Sequence, residues 1–282
     1  MSKEHRVTPS EHSLEDLEID LLLEGVFRRY GQDFRGWQRE AVRQRLHGLM
    51  RADGLRTVSA LQERVLHDAG ASERLLRALA TRPVGLFDDP GYYRALRNML
   101  VPWLRSAPVP RIWVAECVAA EEVCGLSILL AEEGLQERTQ IYATAANEVL
   151  LEEASAGGFD AERFAEYEAN YRDSGGKASL ERYCGWRDGK RVFGSALLEH
   201  VTWAQYSLAS DASFNEFQLI ACRGAIGEFG VTLRHRALQL FYDSMPLLGI
   251  LSVDKADGLT TAPFVSRYKA LAPEQGLFQR VA

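Results

Sequence analysis

The chain has 282 residues, of which 46% are hydrophobic and 26% are charged, as expected for a soluble globular protein of one large or two modest domains. Lys and Arg number 33 against 39 Asp and Glu, and the net charge of -6 argues against a nucleic-acid binder. Residues 1–13 lack the apolar segment of a signal peptide, and no apolar run reaches the roughly 18–20 residues of a membrane-spanning helix. These features predict a cytoplasmic protein that does not insert into membranes and has a protein or small-molecule partner.

Neither cysteine nor histidine spacing predicts a metal site. The cysteines form no Cys-x-x-Cys pair and have no histidine at ligand spacing, so we expect buried thiols in a reducing compartment. The histidines considered as ligands have no common spacing. The residues are Cys117, Cys124, Cys184 and Cys222, and His47, His67, His200 and His235.

The first 80 residues predict a polar tail followed by a small all-helical domain. Residues 1–13 are expected to be flexible, and Ser13 with the acidic residues that follow it marks the start of a helix at Leu14. Further helices are predicted over Trp37–Ala52, Ser59–Leu66 and Ser72–Ala80, with Ser72 as the N-cap of the last. We therefore assign residues 14–80 to one helical domain.

Residues 81–282 are predicted to form an α/β domain, because short apolar runs alternate with helical patterns after Pro83. Such alternation favours a mostly parallel sheet with helices on both faces. Residues 159–200 interrupt the rhythm with polar, glycine-bearing sequence, which predicts an inserted subdomain. The predicted strands are Ile112–Ala115, Gln140–Thr144, Phe217–Cys222 and Gly249–Val253, and the predicted helices are 118–133, 147–156 and Leu233–Ser244.

Five segments, in the same order along the chain, resemble the CheR-type chemotaxis protein-glutamate O-methyltransferases. They are RYGQDFR at 29–35, RIWVAECVAAEE at 111–122, IYAT at 141–144, FNEFQLIACR at 214–223 and LFYDS at 240–244. The family patterns are RYGxDFR, RIWxAGCSTGEE, IYAT, FNEFxLIxCR and LFxDSL. Five ordered matches are far more specific than one isolated motif.

The resemblance implies a fold and an activity. The family has an N-terminal helical domain and a Rossmann-like S-adenosylmethionine-dependent methyltransferase domain with a small inserted β subdomain. It transfers a methyl group from S-adenosylmethionine to glutamate side chains of chemoreceptors. A chemoreceptor or another signalling protein is therefore the expected partner, and the sequence does not fix the oligomeric state.

The chain departs from the family where the cofactor is expected. Glycines at the first strand-to-helix turn let the backbone approach a ligand closely, and Glu116 and Ala120 replace them here. The family's ribose-binding acid after IYAT becomes Ala145, and the arginine of TNxTxFFRDP becomes Asp88. Within CRNVLIYF, Gly224 replaces the asparagine and Glu228 the tyrosine. The segment Ser252–Asp257 also lacks the glycine of LGxxES.

Thirteen positions are the family-equivalent cofactor positions, most of them substituted. They are Arg82, Val84, Asp88, Ala115, Glu116, Cys117, Glu121, Thr144, Ala145, Asn147, Arg223, Gly224 and Glu228. Positioning supplies most of the catalysis in a direct attack of carboxylate on sulfonium, so loss of the cofactor would remove the activity. We expect no catalytic residue and no bound S-adenosylmethionine.

Three hypotheses follow from these substitutions. The first is a non-catalytic CheR-like protein of a chemosensory pathway that binds a protein partner or a different small ligand. The second is an active methyltransferase with an unusual cofactor pose, in which Thr144, Asn147 or Arg223 compensates. The third is a sensor of another nucleotide, with Arg82 and Arg223 as phosphate partners.

Two charged features have open interpretations. Glu121 and Glu122 could form a catalytic pair, but adjacent helical residues point apart, which favours a role as charge at a helix N-terminus. Arginines cluster in the N-terminal helical region, which could face an acidic receptor or simply be solvated. Those arginines are residues 28, 29, 35, 39, 43, 45 and 51.

Overall fold

A computed structural model describes residues 13–254, 259 and 265–282. The chain folds as two compact units, of which the first ends at Leu79 and the second is Ala80–Ala282. The predicted flexible tail lies outside the described residues, except for Ser13. In the described part of the chain, no helix is both long enough and apolar enough to cross a membrane.

The first unit is a bundle of helices. Ser13 caps the first helix, because its Oγ accepts a hydrogen bond from the Asp16 N–H at 3.2 Å. Ser72, the predicted N-cap of the fourth helix, lies inside that helix instead. The helix begins about one turn before Ser72, and Asp68 is its N-cap. The short carboxylate of Asp68 reaches the free N–H groups of the first turn and accepts a 2.9 Å hydrogen bond from the Gly70 N–H. The helices are α1 Leu14–Tyr30, α2 Arg39–Asp53, α3 Val58–His67 and α4 Ala69–Ala78.

The arginines of the first unit are largely neutralised by carboxylates of the same unit. Arg43 contacts Asp16 at 2.6 Å and Glu40 at 2.5 Å, and Arg35 contacts Asp33 at 2.9 Å. Ion pairs of this kind also hold Arg28 and Arg39. The arginine-rich stretch is therefore a surface of alternating charge rather than a uniformly basic face.

Among its described residues, the second unit is built on a seven-stranded sheet in the order β6-β2-β1-β7-β8-β10-β9. The strands from β6 to β8 are parallel, and β10 and β9 extend the sheet antiparallel. Helix α6 is buried almost along its whole length against this sheet. The elements are α5 Pro90–Ser106, β1 Arg111–Ala115, α6 Ala120–Glu132, β2 Gln140–Ala145, α7 Glu148–Ser155, β3 Gly158–Phe159, α8 Phe164–Asp173, β4 Cys184–Arg187, β5 Lys190–Phe193, β6 Val201–Gln205, β7 Leu219–Cys222, α9 Val231–Asp243, β8 Ile250–Val253, β9 Tyr268–Ala272 and β10 Leu277–Arg280.

The predicted insertion contains a small antiparallel sheet of order β3-β5-β4 and the helix α8. Its hairpin turns at Asp188 and Gly189, which both have positive φ, as a tight two-residue turn requires. The α/β class, the N-terminal helical part and the inserted β subdomain are thus confirmed.

Several elements of the second unit have no clear signal in the sequence. Strand β6 is the exposed edge of the sheet and has a polar, half-exposed pattern, so no apolar run marks it. Strands β9 and β10 carry mostly partly exposed side chains. Helix α5 contains Pro102 near its end, which obscures a helical pattern.

Candidate functional site

Four parallel strands end at the same edge of the sheet and place the substituted family positions there. Strand β1 leads into Glu116, β2 ends at Ala145, β7 leads into Arg223 and Gly224, and β8 leads into Asp254. Open α/β sheets bind ligands outside the carboxyl ends of their strands. We call these residues, together with segment 80–89 and the first turn of α6, the strand-end site.

Glu116 adopts a backbone conformation that suits glycine. Its φ is +57°, in the left-handed region, where a residue with a Cβ costs about 1–2 kcal/mol. The turn is tied down on both sides, since Thr81 Oγ1 donates to the Glu116 carbonyl at 3.2 Å and the Cys117 N–H donates to the Thr144 carbonyl at 2.8 Å. The chain thus keeps a glycine-type turn but places a carboxyl side chain on it.

The carboxyl groups of Glu116 and Glu122 are both affected by burial. Desolvation raises the pKa of Glu116 to about 7, and no cation offsets it. Desolvation also raises the pKa of Glu122 to about 7, although the charge of Arg223 opposes the rise and that of Asp254 adds to it. Burial raises the pKa of Glu121, whose Oε1 accepts a 3.1 Å bond from the Tyr167 hydroxyl.

Asp88, at the family's arginine position, belongs to a local network of the second unit. Its Oδ2 accepts a 2.8 Å hydrogen bond from the Gly85 N–H, and its Oδ1 lies 3.5 Å from Nη2 of Arg163. Arg163 also contacts Glu166 at 3.1 Å. The charge reversal at position 88 is therefore matched by a guanidinium supplied from the start of α8.

Gly224, at the family's asparagine position, is closely covered by segment 80–89. Its φ is +80°, and a Cβ built there would lie 2.6 Å from the Arg82 carbonyl oxygen. The Gly224 N–H donates to both carboxylate oxygens of Asp254, at 2.9 and 2.8 Å. A side chain at position 224 would need the backbone at Arg82 to move.

The end of β2 lacks the acid that would accept hydrogen bonds from the ribose hydroxyls of the cofactor. Ala145 is buried and has no polar side chain. Thr144 Oγ1 accepts a 2.8 Å bond from Trp113 Nε1, and Asn147 Oδ1 caps α7 by accepting from the Leu150 N–H at 3.2 Å. Both neighbouring side chains that could have replaced the missing acid already hold structural hydrogen bonds.

Arg223 keeps the arginine of the family pattern CRNVLIYF, and it is largely buried among acids and tyrosines. Its guanidinium carbon lies 4.2 Å from the centre of the Tyr92 ring, and Nη2 lies 3.9 Å from Asp89. Its Nη1 is buried without a hydrogen-bond partner among the described residues.

The other predicted positions surround these groups. Ala115 and Cys117 are buried in the β1 turn, and burial raises the pKa of the Cys117 thiol above its usual range. Val84 is partly buried, Arg82 is exposed, and Glu228 is partly buried in a short turn after β7. In the part of the chain that the structure describes, no cluster of His, Cys, Asp and Glu could hold a metal ion.

Asp254 is not among the site residues predicted from the sequence, and the prediction for Glu122 favoured charge at a helix N-terminus over a catalytic pair with Glu121. The structure buries Glu122 beside Arg223, and it places Asp254 as the acceptor that fixes the Gly224 turn. Glu122 matches the last acid of the family pattern RIWxAGCSTGEE and lies at the start of a helix that packs on the sheet. That match was a signal in the sequence for a role at the site. Asp254 carried no such signal, because its role depends on β8 lying next to β7.

Both units match described protein families. Residues 17–80 match "CheR methyltransferase, all-alpha domain" and residues 85–269 match "CheR methyltransferase, SAM binding domain". The chain is 40% identical over 266 residues to "Putative methyltransferase Cher3" of Pseudomonas putida strain KT2440, covering 94% of this chain and 97% of that one. It is 22% identical over 242 residues to the "Chemotaxis protein methyltransferase" of Listeria innocua, covering 84% and 89%. Among solved structures, the LepI complex with S-adenosylmethionine aligns with a TM-score of 0.39 and 10% identity, over 95% of this chain and 61% of that one.

Proposed function

Because the chain belongs to the CheR family of methyltransferases, we propose that it is a CheR-like protein of chemosensory signalling that does not bind S-adenosylmethionine. It acts as a binding or regulatory protein rather than as an enzyme. The fold of the family is retained, and the proposal concerns only the chemistry of the strand-end site.

The observation that carries the proposal is Glu116. A glycine turn brings backbone N–H groups close to a ligand, and a side chain on that turn occupies the approach. The Glu116 carboxyl has no cation to balance it, and a carboxylate there would repel the methionyl carboxylate of S-adenosylmethionine. At about 4 Å, two like charges cost roughly 1 kcal/mol in water and several in a partly buried site.

Three further positions support the same conclusion. Ala145 cannot accept the ribose hydroxyls, which forfeits a charged hydrogen bond of about 1.5–3 kcal/mol. Asp88 has the wrong charge for a methionyl carboxylate and is engaged with Gly85 and Arg163. Segment 80–89 lies against Gly224, in space that an asparagine side chain would need. The residues present do not fit the cofactor.

The alternative is an active S-adenosylmethionine-dependent protein-glutamate O-methyltransferase with an altered cofactor site. The unpartnered Nη1 of Arg223 is the one observation in its favour, since it could receive a carboxylate. Thr144 and Asn147, the other candidates for compensation, are already used in structural hydrogen bonds. A nucleotide sensor is less favoured, because Glu116, Glu122 and Asp254 would repel phosphate.

The partner is proposed to be a chemoreceptor or another signalling protein. The first unit supports no simple electrostatic docking of its arginines onto an acidic receptor, because Arg35 and Arg43 already pair with carboxylates of that unit. Recognition would have to rely on shape or on exchange of these ion pairs.

The test is calorimetric titration of the protein with S-adenosylmethionine and S-adenosylhomocysteine, alongside the variant Glu116→Gly/Ala145→Asp. We expect no heat for the parent protein up to about 1 mM ligand. The double variant, which regains the open turn and the ribose acid, is expected to bind measurably.

Two results separate the hypotheses. Binding of S-adenosylmethionine by the parent chain at micromolar concentration would reject the proposal, and methyl transfer to a receptor fragment would then establish the alternative. The variant Glu137→Gln, at an exposed position outside the site, serves as the control and should behave as the parent does.

A further inference from the structure

The end of the sheet opposite the strand-end site exposes a group of apolar side chains. The parallel strands β1, β7 and β8 all begin at this end, and the antiparallel β10 finishes there. The Arg280 N–H donates to the Gly249 carbonyl at 2.9 Å, and the Val281 N–H donates to the Arg267 carbonyl at 2.8 Å, so the ends of β8, β10 and β9 are neighbours. We call the exposed apolar residues of this end the strand-start patch. Its members are Val109, Leu247, Leu248, Val265 and Val281.

The turn between α9 and β8 presents two leucines to solvent. The Gly249 N–H donates to the Pro246 carbonyl at 3.0 Å, which closes a turn with Leu247 and Leu248 at its tip. Leu247 is 58% exposed and Leu248 is 42% exposed, although turn tips ordinarily carry small or polar residues.

The backbone of the same turn is also unfavourable for a leucine. Leu248 has a φ of +68°, and this position of a turn usually holds glycine or asparagine when φ is positive. An exposed leucine in a strained conformation contributes little to the core of its own chain. Such strain is concentrated at sites that a protein uses for binding or catalysis.

Charged side chains of both signs surround the strand-start patch. Arg111 begins β1, and Arg267 lies directly before β9. Glu216 lies shortly before β7, and Asp243 ends α9. Among the described residues, none of these four side chains takes part in an ion pair. The patch therefore has free cations and free carboxylates at its border.

We propose that the strand-start patch is the contact surface between two copies of this chain, related by a two-fold axis. Such an axis joins the same surface of both copies, so the surface has to be complementary to itself. Apolar side chains at the centre and charges of both signs at the border meet that requirement, because an arginine of one copy can face a carboxylate of the other.

The charges at the border argue against other occupants. An anionic lipid surface or a nucleic acid would be repelled by Glu216 and Asp243, and the net charge of -6 adds to that repulsion. A second copy brings its own arginines to these carboxylates. The inference goes beyond the proposed function and does not rest on it, since the contact lies at the opposite end of the sheet and leaves the strand-end site open.

The size of the patch sets the expected strength of the contact. Standard interfaces bury about 1,200–2,000 Å² in total, with about 20–30 residues from each partner. The strand-start patch and its charged border are smaller than that. We therefore expect a reversible dimer with a dissociation constant of about 10–100 µM.

The experiment is sedimentation velocity of the full chain from about 5 to 300 µM. We expect the average mass to rise from that of a monomer towards that of a dimer. Leu247→Asp should weaken the association by about tenfold or more, because it places a carboxylate at the apolar centre. Leu17→Asp is the matched control, since Leu17 is 51% exposed on α1 of the other unit, and it should leave the association unchanged.

Leu248→Gly tests the patch with a change that suits the turn. Glycine relieves the positive φ, so the melting temperature should rise by about 2–4 °C. The same change removes an apolar contact, so the dimer should weaken by about threefold or more. A leucine that served only its own chain would not show these opposite effects.

The charged border is tested by Arg111→Glu/Arg267→Glu, which leaves only carboxylates among the four border residues. We expect this variant to be monomeric throughout, because like charges would then face each other across the axis. Arg56→Glu, at an exposed position of the first unit, is the control and should dimerise as the parent does.

Several results would overturn the inference. They are a monomer at every concentration, equal effects of Leu247→Asp and Leu17→Asp, an unweakened dimer in the double arginine variant, and growth beyond the dimer, which a two-fold contact forbids. None of these results bears on the proposed function, which titration with S-adenosylmethionine tests separately.

Discussion

At the scale of single residues, Glu116 combines two separable penalties. Its left-handed backbone is one, and its desolvated carboxyl is the other. Glu116→Ala removes the carboxyl but keeps a Cβ at φ +57°, whereas Glu116→Gly removes both. We expect Glu116→Gly to raise the free energy of unfolding by about 1–2 kcal/mol beyond Glu116→Ala, measured by urea denaturation. Equal stabilities for the two variants would mean that the turn relaxes without strain.

Gly125 and Gly48 both lie inside helices, but we expect an added side chain to have opposite effects on stability at the two positions. A Cβ at Gly125 would come within 2.4 Å of the Tyr93 hydroxyl, whereas a Cβ at Gly48 would meet nothing within 4 Å. Gly125→Ala should destabilise the protein by about 1–3 kcal/mol through overpacking. Gly48→Ala should stabilise it by about 0.5–1 kcal/mol through helix propensity. Thermal unfolding of both variants checks the opposite signs.

At the scale of elements, α5 and α6 are joined by a buried ion network. Arg97 contacts Glu132 and lies 3.0 Å from Glu133, and the Tyr171 hydroxyl also contacts Glu132. Glu132 is 3% exposed at its side chain, so removing its cation leaves an uncompensated buried charge. Arg97→Leu should lower the free energy of unfolding by about 3–5 kcal/mol.

Arg105→Leu is the matched control for this network. Arg105 contacts Glu133 at 3.1 Å but is 56% exposed at its side chain, so solvent screens the pair. Loss of this ion pair should lower the free energy of unfolding by less than about 1 kcal/mol. Chemical denaturation of the two variants measures the difference, and similar costs would show that Glu132 is solvated or protonated once Arg97 is gone.

At the scale of the whole molecule, the raised pKa values predict how stability varies with pH. Glu116 and Glu122 titrate near pH 7 in the folded protein and near their ordinary values when unfolded. The folded state therefore holds more protons between these values, and the free energy of unfolding should fall as pH rises from about 5 to 7.5. Glu122→Gln should flatten that slope, which denaturation at several pH values measures.

Much of the fold could be predicted from the sequence, because its signals are local. The runs Ile112–Ala115 and Phe217–Cys222 became the central strands, and Ser13 began α1 as expected. Strand β6 could not be predicted, since it lies at an edge and pairs only with β2. Such an element depends on its neighbour rather than on its own pattern.

The site was predictable as a set of substitutions but not as an arrangement. The change to Asp88 is visible in the sequence, whereas its pairing with Arg163 depends on α8 packing near segment 80–89. The loss of the asparagine at Gly224 is visible, whereas the approach of the Arg82 carbonyl is not. Motif comparison identified which positions changed, and only the structure gave their new partners.

The close approach of the Arg82 carbonyl to Gly224 also decides which substitutions the present backbone can accept. An asparagine introduced at position 224 collides with the main chain unless segment 80–89 shifts. A glycine introduced at position 116, by contrast, fits the backbone that is already there. Engineering of the strand-end site can therefore begin with a single substitution at position 116, whereas position 224 has to be changed together with segment 80–89.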